Sequence, residues 1–442
     1  MEHARSTAKS VVLGVFLATL SWTRLHATTL VMMSDQDLVR GSSVIVVGQV
    51  LSIRSTTEST ARIETTIDLK VETSIKGLVA HEITFVIPGG TAGSVQRVIF
   101  GAPQFARGER VLVFLRERPD GVLAVTGLAM GKYSIVSATI GEVARRQLGG
   151  ADGSVSVYDK ALGRLGPGTA KDIRALDELL DGLRKIVADQ PASMAAALPR
   201  AALSPADAGR ISAAFTFLGP PPARWTEPDR RMPVGFFVVP GGDAALGIDQ
   251  SMEAVSAAMA AWSAAGSSLR LVDAGAGEPA PFAACDGVST IQFNDPFGEI
   301  GAPVNCGGIL AMGGYCMDTG ATSTLNGITF ARITEGDLTT NDGFDACSYW
   351  NATNLAETLT HELGHTIGLA HSSENPQEPN PLLKDATMYY MAHRDNRGAS
   401  LRADDRAGVQ ALYPERVAQR RYHTARRIAP LHTASRPPTH LR

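Results

Sequence analysis

The chain of 442 residues has no cysteine before Cys285 and no histidine between His81 and His361. After residue 27, no apolar run approaches the roughly 20 residues that a membrane-spanning helix needs. The formal net charge is only -3, so no excess of one sign favours a nucleic acid as partner. Since 44% of the residues are hydrophobic and 19% are charged, we expect a globular, multidomain protein without a transmembrane anchor.

The N-terminus has the order of features that is typical of a secretory signal. Arg5 and Lys9 precede an apolar run at residues 11–20, and a cleavage site ending in Ala27 follows. A membrane anchor is the alternative, but the apolar run is too short to cross a bilayer. We therefore predict a signal peptide over residues 1–27 and a secreted protein, extracellular or periplasmic, after its cleavage.

All four cysteines lie in the C-terminal half, at Cys285, Cys306, Cys316 and Cys347. An even number of cysteines in an exported chain predicts two disulfides. Zinc binding by thiolates is the competing interpretation, but no pair has the close spacing of a zinc knuckle. The sequence leaves all three disulfide pairings open.

The first domain is predicted over residues 28–150 as an antiparallel β domain, either a barrel or a sandwich. Short apolar segments, such as 44–53 and 111–115, are separated by turn residues. Apolar and charged residues alternate over 67–72, which predicts a strand with one face in a core and the other in water.

The composition changes over residues 151–212. Apolar residues at helical spacing, from Ile173 to Val187, predict an amphipathic helix over residues 171–188. An Ala- and Pro-rich segment follows, which is typical of a linker. We therefore place a domain boundary at the end of this segment.

The C-terminal domain is predicted over residues 213–414. Its pattern is mixed α/β, with helices expected at 251–265, 354–369 and 404–412. The remaining residues, 415–442, carry seven arginines and one acid, which predicts a disordered basic tail. The excess of arginine over lysine, 33 against 8, together with many Ala and Gly, points to a bacterium with a GC-rich genome.

The segment from His361 to His371 combines three histidines with a glutamate at a spacing that predicts a metal site. His361 and His365 are four residues apart on a predicted helix, so their directions differ by about 40° and both imidazoles point at one ion. Glu362 lies beside them. His371 would differ in direction by about 80° if the helix continued, so the helix must end before it.

Gly368 offers this helix end, because a residue without a Cβ can adopt a left-handed conformation and turn the chain back. Three neutral imidazoles, those of His361, His365 and His371, then leave one zinc position open, as catalytic sites do. Bound zinc lowers the pKa of a water to about 7, and Glu362 takes its proton as general base. The segment therefore predicts hydrolysis of peptide bonds by zinc-activated water.

Over residues 215–414 the sequence resembles the metzincin zinc peptidases and, among them, the matrixins, whose catalytic domains are of the matrix metalloproteinase type. The resemblance is carried by the histidine segment, by residues 386–389 and by residues 401–414 with their paired aspartates. It implies an α/β (α+β) metzincin fold and a methionine turn beneath the zinc, for which Met388 is the best match. It also implies that the two aspartates, Asp404 and Asp405, anchor the domain.

Two common features of matrixins are missing. The family's second, structural zinc is held by upstream histidines, and the absence of such histidines here predicts that this site is absent. Many matrixins are kept latent by a propeptide cysteine, but with Cys285 as the first cysteine, latency needs an acidic side chain or steric cover. Calcium binding through Asp337, Asp342 and Asp345 is left open, because no spacing there is diagnostic.

Two functions agree with these observations. The first is a secreted zinc metalloendopeptidase, whose partner is a protein or peptide substrate. The alternative is a zinc-binding but inactive or self-inhibited protein, whose N-terminal β domain acts as a binding or inhibitory module. Residues 44–48 loosely resemble the start of the oligomer-binding barrel of metalloprotease inhibitors. The sequence leaves the oligomeric state open.

Overall fold

The structure is a computed structural model that describes most of the chain. The described residues are 30–57, 62–138, 141–146, 154–159, 164–169, 172–189, 214–375 and 378–415. The predicted signal peptide, the Ala- and Pro-rich linker and the basic tail beyond Glu415 lie outside them.

The described residues form strands and helices in a mixed α/β arrangement. The strands, in chain order, are β1 (Leu30–Val31), β2 (Val44–Thr57), β3 (Ile63–Lys76), β4 (Glu82–Pro88), β5 (Gly90–Ala92), β6 (Val95–Ile99), β7 (Arg110–Glu117), β8 (Leu123–Val125), β9 (Lys132–Ala138), β10 (Gly141–Arg146), β11 (Ser154–Asp159), β12 (Arg164–Thr169), β13 (Asp172–Ala175), β14 (Ala214–Thr216), β15 (Ala223–Arg224), β16 (Val234–Val238), β17 (Leu271–Ala276), β18 (Thr290–Gln292), β19 (Gly308–Ile309), β20 (Ala311–Leu325) and β21 (Ile328–Thr340). The α-helices are α1 (Asp35–Arg40), α2 (Leu176–Ala188), α3 (Gly247–Ser263), α4 (Ala352–Thr366), α5 (Pro381–Asp385) and α6 (Ala403–Leu412).

The first sheet has the strand order β13-β10-β9-β7-β2-β3-β4-β8, and a further pairing of β7 with β8 closes five of its strands into a barrel. Its pairings are antiparallel except that of β4 with β8, which is parallel and departs from the antiparallel domain expected. In β3, Ile63, Ile67 and Leu69 are buried and alternate with more exposed polar residues. This alternation directs one face of the strand into an apolar barrel interior.

The second sheet has the strand order β17-β16-β18-β21-β20-β6-β5, with β15 paired to β21. Strand β16 is parallel to β17 and β18, and β18 is parallel to β21, whereas β20 is antiparallel to β21. Helices α3 and α4 pack together, and the indole N–H of Trp262 donates to the carbonyl oxygen of Thr360 at 2.8 Å. Helix α4 also packs against β20 and β21, so the sheet supports the helix that carries the histidines.

The hairpin of β5 and β6 leaves the barrel region and joins the second sheet. Strand β6 pairs antiparallel with β20, and Arg97 lies opposite Cys316, with Ile99 opposite Gly314. A Cβ on Gly314 would lie 2.5 Å from the carbonyl oxygen of Val98, so only glycine allows this close approach. Because the second sheet contains strands from both parts of the chain, the division into two domains near residue 213 stays a prediction.

A second core cluster lies between the two sheets and joins them. It contains Leu112 and Phe114 of β7 and Phe282, Met312 and Tyr390 from the C-terminal region, all buried. Burial of large apolar side chains in one shared cluster stabilises the contact between the two regions.

The amphipathic helix begins later than expected. Helix α2 starts at Leu176, and the four residues before it form β13, in which Ile173 pairs with Arg145 of β10. The prediction of a helix from residue 171 was wrong because pairing with β10 uses the backbone hydrogen-bonding groups of these residues. Helices α3, α4 and α6 lie within a few residues of the predicted ranges.

The four cysteines form two disulfides, Cys285–Cys316 and Cys306–Cys347. The first joins the loop before β18 to β20, and the second joins the segment before β19 to the segment before α4. Both therefore brace the strands and the helix that surround the histidine segment. In the part of the chain that the structure describes, no helix is long and apolar enough to span a membrane.

Candidate metal centre

Helix α4 carries the first two histidines and is buried along most of its length. Asn351 caps its N-terminus by accepting a hydrogen bond from the backbone N–H of Asn354 at 3.0 Å. His361 and His365 lie one turn apart near its C-terminal end, and both are buried. Since residues four apart share a helix face, the two imidazoles point to the same side.

Gly368 lies just after the end of α4, with a φ angle of +99°. A Cβ at this position would lie 2.4 Å from the carbonyl oxygen of Ala223, so any other residue would clash as well as being strained. Beyond this turn the chain returns towards the helix and brings His371 beside His361 and His365.

The three histidines converge on one point. Their ligand atoms all lie within 4.8 Å of one another, and the Nε2 atoms of His361 and His371 are 2.9 Å apart. All three side chains are at most 2% exposed. Among the described residues, this is the group of histidine, cysteine and acidic side chains that is positioned to bind a metal ion.

The opposite ring nitrogen of each histidine has a hydrogen-bond acceptor. The Nδ1 atoms of His361, His365 and His371 lie 2.7 Å from the Thr387 carbonyl oxygen, 2.8 Å from the Leu369 carbonyl oxygen and 2.6 Å from Glu374 Oε1, respectively. Because a carbonyl oxygen can only accept, the Nδ1 atoms of His361 and His365 carry the proton, which leaves a lone pair on each Nε2. An ionised Glu374 accepts from His371 in the same way. Within the described residues, the buried Nε2 of His365 has no hydrogen-bond partner, as expected for an atom that binds a metal.

Burial lowers the pKa of all three imidazoles, that of His361 to about 4. For His365 and His371, the neighbouring histidines lower the pKa further. The three rings are therefore neutral at physiological pH, the form in which imidazole binds metals. Three neutral imidazoles with one position left over fit zinc in an open site.

Glu362 follows His361 on α4 and is fully buried. The neighbouring strand β20 passes directly against it at Gly313. A Cβ on Gly313 would lie 2.9 Å from Glu362 Oε2 and 2.5 Å from the Glu362 carbonyl oxygen. A glycine at this position therefore leaves the room that the buried carboxylate of Glu362 occupies.

Met388 lies directly against α4. A Cβ on Gly364 would lie 2.3 Å from Met388 Sδ, so the methionine fills the space that this glycine leaves between the two helical histidines. The buried carboxylate of Asp405 accepts hydrogen bonds from the backbone N–H groups of Thr387 and Met388 at 2.8 and 2.9 Å. Asp405 thus holds the turn that carries both Met388 and the carbonyl oxygen bonded to His361.

Phe100, one residue after β6, packs against the rings of two of the histidines. Its ring stacks on His365 with 4.5 Å between the centroids and 5° between the planes. The same ring meets His371 edge to face at 4.3 Å. A side chain of the barrel region therefore contacts two of the three rings of the candidate metal centre.

The three aspartates considered for calcium do not share one site. Asp337 forms an ion pair with Arg97 at 2.6 Å, whereas Asp342 and Asp345 line a cavity near Asp243. Calcium binding stays a prediction.

Sequence reasoning missed Glu374 and Phe100. Glu374 carried one local signal, since it is an acid three residues after His371. Phe100 carried none, because its contact spans 265 positions of the chain and depends on the pairing of β6 with β20.

Fold and site together have the features of a metalloprotease domain, and comparisons with known proteins agree at this level. Residues 313–414 match the family model of the matrixins, which supports a matrix metalloproteinase-type domain in this part of the chain. The match covers the edge strand, the histidine segment, the methionine turn and the last helix. It supports a zinc-dependent metalloprotease at the level of the family.

Individual relatives are similar over short segments. Matrix metalloproteinase-2 of Drosophila melanogaster is 35% identical over 79 residues, which are 16% of this chain and 9% of that protein. Metalloendoproteinase 4-MMP of Arabidopsis thaliana is 39% identical over 62 residues, 14% of this chain and 16% of that protein. Matrilysin of Mus musculus is 37% identical over 79 residues, 16% of this chain and 26% of that protein. The chain thus spans about a quarter or less of the length of these relatives.

Proposed function

We propose that this protein is a secreted zinc-dependent metalloendopeptidase that hydrolyses peptide bonds in proteins. The observation that carries the proposal is the convergence of the ligand atoms of His361, His365 and His371. Glu362, the next residue after His361 on α4, is fully buried. The two disulfides and the N-terminal signal pattern support export, since disulfides persist in oxidising compartments.

The proposed roles follow from the positions of the side chains. His361, His365 and His371 would hold the zinc ion, which when bound polarises the scissile carbonyl and lowers the pKa of an attacking water. Glu362 takes the proton of that water and passes it to the leaving amine. The Glu374 carboxylate orients His371 through its Nδ1 proton, and Asp405 holds the turn that supports His361.

We also propose that, in the folded chain, the barrel region inhibits the metal centre of the same molecule. Two contacts support it. Strand β6 occupies the edge of β20, the strand that passes against Glu362 at Gly313. Phe100 then stacks on His365 and contacts His371. An extended substrate that adds to a sheet edge would need the same strand edge.

The direction of β6 also supports inhibition. Along β6 the chain runs from Val95, opposite Asp318, to Ile99, opposite Gly314, and so approaches the helix with its C-terminal end. Its side chains alternate, with Val98 and Phe100 in the core beside α4 and Ile99 in the core between the sheets. The inhibitory segment is thus an extended strand laid along the cleft, and it provides the steric cover that a chain without a propeptide cysteine would need.

Both proposals can be tested in the full chain with one variant. In the released variant, Arg97→Ala and Phe100→Ala together remove the ion pair with Asp337 and the ring that covers the histidines. We expect one zinc per chain in the wild type and in the variant. Because a buried ion pair and a buried ring both stabilise the β6 contact, we expect the released variant to degrade an unfolded protein at least ~10-fold faster than the wild type.

The general base is tested by adding Glu362→Gln to the released variant. Loss of cleavage with unchanged zinc content would support the proposed chemistry, and Glu253→Gln on the exposed face of α3 is the matched control. A released variant that binds zinc and folds but cleaves no polypeptide would contradict the peptidase proposal. Equal cleavage by the wild type and the released variant would contradict inhibition in cis.

A further inference from the structure

Arg97 of β6 is fully buried, with 0% of its side chain exposed. Its NH1 group donates to Asp337 Oδ2 at 2.6 Å and lies 3.7 Å from Glu335 Oε1. Its NH2 group donates to the carbonyl oxygen of Phe282, and the guanidinium lies 4.6 Å from the centre of the Phe282 ring. The guanidinium therefore occupies a specific pocket with acidic, carbonyl and aromatic walls, which we call the guanidinium pocket.

The acidic wall of this pocket is held in place by backbone groups of the C-terminal region. The backbone N–H of Thr290 donates to Asp337 Oδ1 at 3.0 Å, and that of Gly287 donates to Glu335 Oε2. Cys285–Cys316 joins the loop over the pocket to β20. The loop of Phe282 is also bonded to β3, where the backbone N–H of Ile63 donates to the carbonyl oxygen of Ala283 at 2.9 Å. None of these contacts involves β6, so the departure of Arg97 would leave the walls in position.

An empty pocket would be unfavourable. Burial raises the pKa of both Glu335 and Asp337, and the neighbouring Asp337 raises that of Glu335 further, whereas the Arg97 guanidinium lowers both. Removing one partner of a buried ion pair is strongly destabilising, because it leaves an uncompensated charge. Once β6 has left the edge of β20, the pocket thus favours another cation of similar shape.

We propose that the guanidinium pocket is a substrate subsite that selects polypeptides with an arginine on the amino-terminal side of the cleaved bond. This inference rests on the proposed peptidase function. The occupant itself defines the position, because Arg97 lies three residues before Phe100, the residue that covers His365. A substrate strand that replaces β6 in the same direction places its own side chain opposite Cys316.

The geometry favours arginine over lysine. Separate nitrogen atoms of Arg97 reach Asp337 and the Phe282 carbonyl oxygen, and the planar group lies over the Phe282 ring. A lysine ammonium is a single point charge that cannot span the two acceptors and stack at the same time.

The first measurement is a cleavage-site profile of the released variant on a mixture of denatured proteins. We expect arginine to be enriched about 10-fold or more over alanine at one position before the cleaved bond, and enriched over lysine. The enrichment is a ratio of rates, so it does not depend on how completely β6 has been displaced.

A substitution in the pocket wall tests whether the pocket causes the preference. Adding Asp337→Asn to the released variant should abolish the arginine enrichment while bonds in arginine-free sequences are still cleaved. The matched control is Asp318→Asn, because Asp318 is on the neighbouring strand β20 and lies opposite Val95, two residues before Arg97. An arginine preference that survives Asp337→Asn would overturn the proposal.

Peptide binding separates the subsite from the chemistry. Peptides with the sequence of residues 94–102 are prepared with Arg, Lys or Ala at the fourth position, and their affinities for the released variant carrying Glu362→Gln are compared. We expect the Arg peptide to bind at least ~10-fold more tightly than the Ala peptide. If the Arg peptide binds more tightly but the released variant cleaves no polypeptide, the peptidase proposal is wrong and the subsite proposal stands. If the released variant cleaves without a preference for arginine and the three peptides bind equally, the subsite proposal is wrong and the peptidase proposal stands.

Discussion

The two large sheets of this protein have similar sizes but different interiors. The barrel of the first sheet encloses aliphatic and aromatic side chains such as Val46, Ile67 and Phe85. The layer between the second sheet and its helices also buries polar groups, among them His361 and Glu362. Buried polar groups are unfavourable unless they are paired or bind a ligand, so their concentration in one layer marks the functional layer.

The hairpin of β5 and β6 belongs to both regions. It continues the barrel chain after β4 but hydrogen-bonds to β20 of the second sheet. The barrel region therefore does more than stabilise itself, because its strand β6 lies on the edge of β20, next to the metal centre. Four predictions test this division of roles, from the largest expected effect to the smallest.

The largest effect is expected for a ligand of the metal centre. His371→Ala should weaken zinc binding by well over 100-fold, since losing even an outer partner of a ligand weakens binding about 10–100-fold. Metal analysis after dialysis against a weak chelator measures the effect. His81→Ala, an exposed histidine of the first region, is the control and should keep its zinc. Full zinc retention by His371→Ala would mean that His371 is not a ligand.

A core substitution in the barrel should change stability without changing the metal centre. Leu69 is fully buried in the barrel interior, so Leu69→Ala should lower the free energy of unfolding by about 2–5 kcal/mol. Chemical denaturation measures the loss, and zinc content should stay the same. Leu78→Ala is the matched control, because Leu78 is fully exposed. Loss of zinc from Leu69→Ala under native conditions would contradict the view that the barrel interior stabilises the fold without shaping the metal centre.

A pH-dependent effect is expected where the two regions meet. Asp295 is buried near Arg116 of β7, and burial raises its pKa from 3.8 to about 6. The folded protein thus holds this proton more tightly than the unfolded chain, so stability from this group is present below pH 4 and is lost as the pH rises through 6. This difference between the two pKa values corresponds to on the order of 3 kcal/mol in the free energy of unfolding.

The measurement compares unfolding of the wild type and Asp295→Asn between pH 4 and pH 7. The stability of the wild type relative to the variant should fall by about 2–3 kcal/mol over this range, because the variant cannot ionise at residue 295. A constant difference across the range would show that Asp295 titrates normally.

The smallest effect is expected for a positioning residue. Glu374 accepts the Nδ1 proton of His371, so Glu374→Gln should weaken zinc binding by about 10–100-fold. Competition with a calibrated chelator measures this affinity. Glu278→Gln is the control, because Glu278 is exposed and lies far from Glu374 in the sequence. If the two variants bind zinc equally well, Glu374 has only a structural role.

Local patterns predicted several elements of the C-terminal region within a few residues. Helices α3, α4 and α6 were predicted from their local sequence patterns, at 251–265, 354–369 and 404–412. The start of α2 was wrong, because pairing of β13 with β10 overrides the helical pattern of residues 172–175. Strands β5, β6 and β20 were not predicted. Glycines obscure the strand pattern of β5 and β20 and serve close backbone contacts instead, and β6 is a short strand that pairs with β20.

The sequence by itself determined which side chains could form the metal centre. Spacing within one helix and one turn is enough to direct three imidazoles at one point, because helix geometry is local. The tertiary structure alone decided what surrounds that point: the turn held by Asp405, and the strand that places Phe100 over the rings and Arg97 in an acidic pocket. These contacts join residues far apart in the chain, and strand pairing over such distances follows from the packing of the whole fold rather than from any local pattern.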